Sequence, residues 1–230
     1  MKTMKSRFEI FKESLKGGMG SGGECSQYQR PVYLQQIRQE ALAAQIPIIR
    51  EETEDLLRFL LRVLSPERIL EIGTGTGYSA LFMAEQCPRL QYLLSYESST
   101  KRFAKAKELV EVAGRSDVIH LKNQDAVKGL ESPMEQRFDF VFLDGAKAQN
   151  HAFLRLTAPL LRQGGIIAVD NALFDGRIME SRFALRRRDR TIHSRLRDFL
   201  REVYENPAYT CDLLQCGDGM LLITKNESSR

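Results

Sequence analysis

The sequence predicts an α/β fold: a seven-stranded, mostly parallel sheet with helices on both faces. Three observations carry that prediction. Short apolar runs alternate with helical patterns along most of the chain, with short connections between them. Parallel neighbours need such crossovers, and the crossover helices cover both faces of the sheet. The run Arg68-Ile-Leu-Glu-Ile-Gly-Thr-Gly-Thr-Gly-Tyr78 sets three glycines between a buried strand and a helix, and open α/β sheets bind ligands at such turns. The last two strands are separated by a short turn over Gly217-Asp-Gly219, so they run antiparallel to each other.

The elements follow in order. Residues 16–26 are Gly-rich and of low complexity and bury too little apolar surface to order themselves. Residues 1–26 are therefore expected to be a flexible extension, and 27–230 a single domain. Helical spacing of Tyr33, Leu34, Ile37, Ala41 and Ala44 predicts a helix over residues 32–44. Leu56, Leu57, Phe59, Leu60 and Val63 predict a second over 51–63, closed by Pro66. The glycine turn leads into a helix over 79–84. Strands are predicted at 90–96, 118–121, 138–143 and 165–169, with helices at 100–113 and 151–161 between them. A helix over 191–204 precedes the final strands at 210–214 and 220–224.

Composition excludes several classes. With 43% hydrophobic and 28% charged residues, the chain is ordinary for a globular protein. No apolar run approaches the roughly 20 residues of a membrane span, and Phe8-Glu-Ile-Phe-Lys-Glu is too charged for a signal-peptide core. Cys25, Cys87, Cys211 and Cys216 show neither C-x-x-C spacing nor nearby histidines. They read as reduced thiols of a cytoplasmic protein.

Gly73, Gly75 and Gly77 stand two residues apart. That spacing is neither G-x-G-x-x-G nor the phosphate loop, which needs a following Lys. Glu71 would repel a pyrophosphate and suits a cationic or amine-bearing ligand. The E-x-G-x-G-x-G pattern resembles the first motif of S-adenosylmethionine-dependent methyltransferases. Two more carboxylates fall at strand ends. Glu97 follows the second strand, placed to accept both ribose hydroxyls of an adenosine. Asp125, beside Ala126, follows the third, where it either accepts from an adenine amino group or caps the next helix.

The fourth strand ends in Asp144-Gly-Ala-Lys147 and the fifth in Asp170-Asn171. Two carboxylates and an amide thus meet at one mouth. Hard oxygen ligands of this kind suit Mg²⁺, Mn²⁺ or Ca²⁺.

Ile69 through Met83, Asp144 with Lys147, and Asp170-Asn171-Ala-Leu-Phe-Asp-Gly176 together resemble the metal-dependent O-methyltransferase family. That family contains the catechol and caffeoyl-CoA enzymes and the bacterial tRNA 5-hydroxyuridine methyltransferases. The resemblance spans roughly residues 31–225. It implies a Rossmann-like sheet of seven strands, one of them antiparallel. It also implies Asp144, Asp170 and Asn171 as ligands of a divalent cation, Mg²⁺ foremost, and Lys147 as general base. Contacts to S-adenosylmethionine are implied for Ile49, Glu71, Gly73, Gly75, Gly77, Ser79, Glu97, Asp125, Ala126 and Asp144. A homodimer, with the helix over 32–44 packed across it, is common in such enzymes. Gly145-Ala146, Asn150-His151 and Phe174 depart from the catechol and plant patterns. These departures count against a catechol or phenylpropanoid acceptor and leave methyl transfer intact.

Residues 177–201 hold nine arginines against Glu180, Asp189 and Asp198, a local excess of six positive charges in a chain whose net charge is +4. Clustered arginines suit phosphate recognition. Arg186, Arg187, Arg188 and Arg190 are the RNA-binding candidates, and the run resembles the tRNA-modifying branch, whose acceptor is the 5-hydroxyl of a wobble uridine. A small hydroxylated acceptor and a non-catalytic RNA- or partner-binding protein are the alternatives.

Overall fold

The computed structural model describes residues 29–132 and 135–226; the expected N-terminal extension lies outside the described residues. Two helices, α1 (Val32–Ala43) and α2 (Glu51–Leu64), precede the sheet. Three carboxylates in the first turn of α2 (Glu51, Glu52, Glu54) favour its positive end. Its last residue is followed by Ser65 in the left-handed region (φ 45°), and Pro66 cannot continue the helix.

The sheet then alternates with helices: β1 (Arg68–Ile72), α3 (Tyr78–Gln86), β2 (Tyr92–Glu97), α4 (Thr100–Val112), β3 (Ile119–Asn123), α5 (Ala126–Leu130), β4 (Phe138–Leu143), α6 (Asn150–Thr157), β5 (Leu161–Val169), α7 (Arg190–Glu205), β6 (Tyr209–Leu214) and β7 (Met220–Lys225). The strand order is β3-β2-β1-β4-β5-β7-β6. All neighbours are parallel except β7, which runs antiparallel to both β5 and β6. The seven-stranded sheet with one reversed strand is therefore present. The chain order reverses between β1 and β4, the switch point at which ligands bind beyond the carboxyl ends of the strands.

Side chains alternate across the sheet. Leu70, Ile72, Val141, Leu143 and Val169 pack on one face with Phe153, Leu196 and Phe199. Ile69, Phe140, Phe142 and Ala168 pack on the other with Leu57, Leu61 and Phe82. Both faces are dry, which is why the strands read as nearly unbroken apolar runs.

The structure departs from the sequence expectation in several places. The helix expected over 151–161 stops at Thr157 and passes through a 3₁₀ turn, Ala158–Leu160, with Pro159 near its start. Leu161 already belongs to β5. Helix α5 has five residues, too few for an apolar period to be read. Phe59 and Val63, counted with the apolar face of α2, are 65% and 67% exposed.

Candidate active site

A cavity of about 560 Å³ opens at the carboxyl ends of β1, β2, β4 and β5. One wall is an extended strap, Ile46 to Arg50, between α1 and α2. Gly73 and Gly75 form a second wall, and Tyr96, Glu97, Asp125 and Ala126 a third. Asp144, Phe153, Asp170 and Asn171 close the far end. The structure thus brings Ile49, Gly73, Gly75, Glu97, Asp125, Ala126, Asp144, Asp170 and Asn171 to one cavity.

The glycine turn is held by two bonds, as the amides of Gly73 and Thr74 both donate to the Tyr96 carbonyl (3.0 and 3.2 Å). Gly73 has φ +103°, and a Cβ there would stand 2.4 Å from the carbonyl oxygen of Asp144. The absence of a side chain lets the ends of β1 and β4 touch.

Glu71, Gly77 and Ser79, expected beside the cofactor, are not among the residues that line this cavity. Alternation along β1 sends Ile72 toward the cavity and Glu71 to the opposite face. There Glu71 is fully buried, accepting from Ser79 Oγ at 2.5 Å and from Ser95 Oγ. Gly77 starts α3 with φ 90°. Burial, opposed by the two serine hydroxyls and reinforced by Glu97, pushes the Glu71 carboxyl up from 4.5 to about 7. A carboxyl raised on folding weakens the folded state as it ionises. Its contribution is full below the unfolded value and is lost as pH rises to about 7. Glu71→Gln removes that loss. Its stability relative to the parent should rise by about 3 kcal/mol between pH 4 and pH 8. Urea midpoints across that range check this, and a constant difference would mean that Glu71 ionises freely.

Glu97 is 4% exposed. Its Oε2 accepts from the Gly75 amide (3.0 Å), and its Oε1 from the Ser99 amide (2.7 Å) and Arg102 Nη2 (2.8 Å). A carboxylate offers about four acceptor positions. One remains, so Glu97 can take one further hydroxyl, and a second only if Arg102 withdraws. Asp125 caps α5, accepting from the Lys128 amide at 3.2 Å, and also lines the cavity.

Asp144 and Asp170 follow directly on β4 and β5, and the Asp170 amide bonds the Leu143 carbonyl at 3.0 Å. Asn171 Nδ2 donates to Asp144 Oδ1 at 3.1 Å, and the Asn171 amide to Asp170 Oδ1 at 2.7 Å. Asn171 has φ 58°, a conformation that asparagine tolerates better than most residues. Burial and the Asp170 charge hold the Asp144 carboxyl well above its usual range. Burial likewise lifts Asp170 to about 6. The positive charge of Lys147 opposes both shifts. Two buried carboxylates that resist ionisation together are relieved by a shared cation. The donor set, two carboxylates and an amide, therefore fits a hard divalent ion. Among the described residues no group of three His, Cys, Asp or Glu is arranged for a metal. Lys147 is half-buried outside the cavity lining, with Nζ 6.0 Å from the Phe174 ring centre.

Residues 23–226 match the family model described as O-methyltransferase. The chain belongs to the O-methyltransferase family. It is 30% identical over 194 residues to a probable caffeoyl-CoA O-methyltransferase 2 of Dictyostelium discoideum, covering 83% of this chain and 82% of that protein. It is 28% identical over 127 residues to a catechol O-methyltransferase of Niastella koreensis, covering 54% and 58%. Among solved structures, an O-methyltransferase from Bacillus cereus in complex with SAH superposes with a TM-score of 0.77, at 22% identity over 94% of this chain and 97% of that one. The SAH-bound methyltransferase PaMTH1 of Podospora anserina gives 0.80, at 23% identity over 99% and 100%. These two share the fold.

Several residues of the methyltransferase site escaped the sequence reading. Thr53 Oγ1 donates to Asp170 Oδ1 (3.5 Å), and Asp218 in the β6–β7 turn accepts from the Asp175 amide at 2.5 Å. The same turn pairs with the loop after β5, where Ala172 and Leu173 donate to the Gly219 and Asp218 carbonyls. It therefore braces the segment that carries Asp170 and Asn171. The Gly-Asp-Gly sequence signalled a turn but not what the turn touches. Between β5 and α7, Arg186, Arg187 and Arg188 are exposed. Arg188 pairs with Asp189 at 3.7 Å, and Arg190 donates to the Leu185 and Phe183 carbonyls (3.0 and 3.3 Å) and holds the loop. Phe183, in the same loop, is 83% exposed.

Proposed function

We propose that this O-methyltransferase moves the methyl group of S-adenosylmethionine to a hydroxyl oxygen, with Mg²⁺ or a similar divalent cation held by Asp144, Asp170 and Asn171. The convergence of those three side chains on one end of a cavity whose other walls are Glu97, Asp125 and the glycine turn carries the reading. When bound, the cation lowers the pKa of an acceptor hydroxyl, and the sulfonium presents an electrophilic methyl carbon. The chain supplies the rest. The free position on Glu97 accepts a ribose hydroxyl, and Asp125 faces the adenine side. Gly73 lets the cofactor lie against the backbone, and Ile72 and Phe153 give the site apolar walls. Lys147 would take the acceptor's proton at Nζ once it has given up its own, as a neutral amine. Holding acceptor and methyl carbon in line contributes through positioning.

For the acceptor we propose the 5-hydroxyl of a wobble uridine in tRNA, which becomes 5-methoxyuridine. Exposed Arg186, Arg187 and Arg188 beside an exposed Phe183 support it, since cations track a phosphate backbone and an aromatic face stacks an unpaired base. The names of the Dictyostelium and Niastella relatives favour a second reading, a small hydroxylated acceptor. Replacing Arg186, Arg187 and Arg188 by Ala should weaken tRNA binding and reduce the log–log salt slope by roughly 0.7–0.9 per lost contact. Methylation of a free catechol, where it occurs, should be unchanged. Equal losses on both acceptors would make the cluster structural; methylation of catechol alone would establish the second reading. Exposed Val32 and Leu42 on α1 and Phe59 and Val63 on α2 support a homodimer, which light scattering tests.

A further inference from the structure

We infer that Glu54 is a positioning residue for the methyl donor: one buried carboxylate fixes two opposite walls of the cofactor cavity, and Arg38 carries its grip to the strap. Glu54 sits in the first turn of α2 and is 2% exposed. It accepts from Arg30 Nη2 at 2.5 Å, from Tyr78 Oη at 2.8 Å and from Arg38 Nη1. The same Arg38 nitrogen donates to the carbonyl of Ile49 at 3.1 Å. Tyr78 is the first residue of α3, directly after the glycine turn, and is 2% exposed. Ile49 belongs to the strap that closes the cavity from the other side. None of Glu54, Arg38, Arg30 or Tyr78 lines the cavity.

The network is more than packing. Taking a carboxylate and two guanidinium groups out of water is expensive, and apolar side chains of the same volume would hold the helices together as well or better. Directed hydrogen bonds do something apolar contacts do not: they fix a backbone atom in place. The strap needs that. Residues 47–49 make no backbone–backbone hydrogen bond among the described residues; apolar packing of Ile48 and Ile49 holds their side chains, and the Ile49 carbonyl on Arg38 fixes their backbone. At the strap's end, Arg50 reaches across to Asp175 at 2.8 Å, joining it to the loop after β5. The Arg50 end of the strap is thus tied across the mouth by an exposed pair, and the Ile49 carbonyl is held by the buried Arg38–Glu54 pair. Loss of that grip leaves the metal-facing side chains untouched and loosens the wall over the donor.

This inference rests on the cavity's being the S-adenosylmethionine site, and the experiment separates the two. Binding of SAH by calorimetry and of Mn²⁺ by electron paramagnetic resonance is measured for the parent chain, Arg38→Lys and Tyr78→Phe. Arg38→Lys keeps the charge, but its ammonium ends one bond short of the Nη1 that reaches both Glu54 and Ile49. SAH affinity should fall about tenfold, equivalent to about 1.4 kcal/mol, with Mn²⁺ affinity within twofold of the parent. Tyr78→Phe, which deletes one hydroxyl and spares both arginines, should weaken SAH about threefold and shift Tm little. A folded Arg38→Lys or Tyr78→Phe chain that binds SAH like the parent overturns the inference. So does a parallel loss of SAH and Mn²⁺ binding, which would mark the network as merely structural. A parent chain that binds Mn²⁺ and no SAH overturns the donor reading, and the inference with it.

Discussion

Asp170→Ala is expected to lower methyl transfer by at least about 10³-fold, roughly 4 kcal/mol of transition-state stabilisation, while SAH affinity stays within about threefold. The side chain stands at the end of β5 with Thr53 Oγ1 and the Asn171 amide on one oxygen. It is one of the two carboxylates in the proposed cation-binding set. In the proposed function donor binding rests on other groups, Glu97 and the glycine turn, which line other walls of the cavity. The protein should fold normally. Burial already holds this carboxyl at about 6, so removing it relieves a desolvated charge as well as leaving two donors unpaired. Steady-state transfer, SAH calorimetry and thermal denaturation on one preparation check all three parts. Lost SAH binding in a folded variant would assign Asp170 to the donor instead.

Gly73→Ala should be the most damaging change of a single methyl group. Its Cβ would meet the Asp144 carbonyl oxygen at 2.4 Å and the carbonyl carbon at 2.7 Å, both backbone atoms, in a residue with φ +103°. Strain of the backbone and separation of the β1 and β4 ends should together cost about 3 kcal/mol or more. That lowers Tm by roughly 6–12 °C at this chain length, and SAH affinity should fall about 100-fold as the Asp144 end moves. Gly75→Ala is the control: φ is +55° and a Cβ there meets nothing within 4 Å, so about 1 kcal/mol is expected. Equal effects of the two substitutions would contradict the close approach of β1 and β4.

The sheet was legible because its central strands β1, β2, β4 and β5 are largely buried on both faces, so apolar runs and glycine punctuation mark them without reference to distant residues. The cavity was legible for a related reason: a parallel sheet sends the residues after each strand to one edge, and Glu97, Asp125, Asp144 and Asp170 were read from that rule. The rule places residues but not the directions of their side chains. Glu71 lies one step from Ile72 and therefore faces the other side of the sheet. Glu97 reaches the cavity with three of its acceptor positions already taken by Gly75, Ser99 and Arg102. Arg190 belongs to a basic run, yet its guanidinium turns inward to two carbonyls. The strap over Ile46 to Arg50 has no periodicity, and its role depends on Glu54 and Arg38 in neighbouring helices. Asp218 is 48 positions from Asp170 in sequence, and the β7–β5 pairing brings them together.

The most direct test is methyl transfer from labelled S-adenosylmethionine to tRNA bearing 5-hydroxyuridine and to a catechol, after EDTA treatment and again after Mg²⁺ is restored. The account predicts that label enters an oxygen of one of the two acceptors, that EDTA abolishes the transfer, and that Mg²⁺ recovers it in the parent chain but not in Asp170→Ala. Transfer that proceeds unchanged in EDTA, or that Asp170→Ala supports as well as the parent, would contradict it.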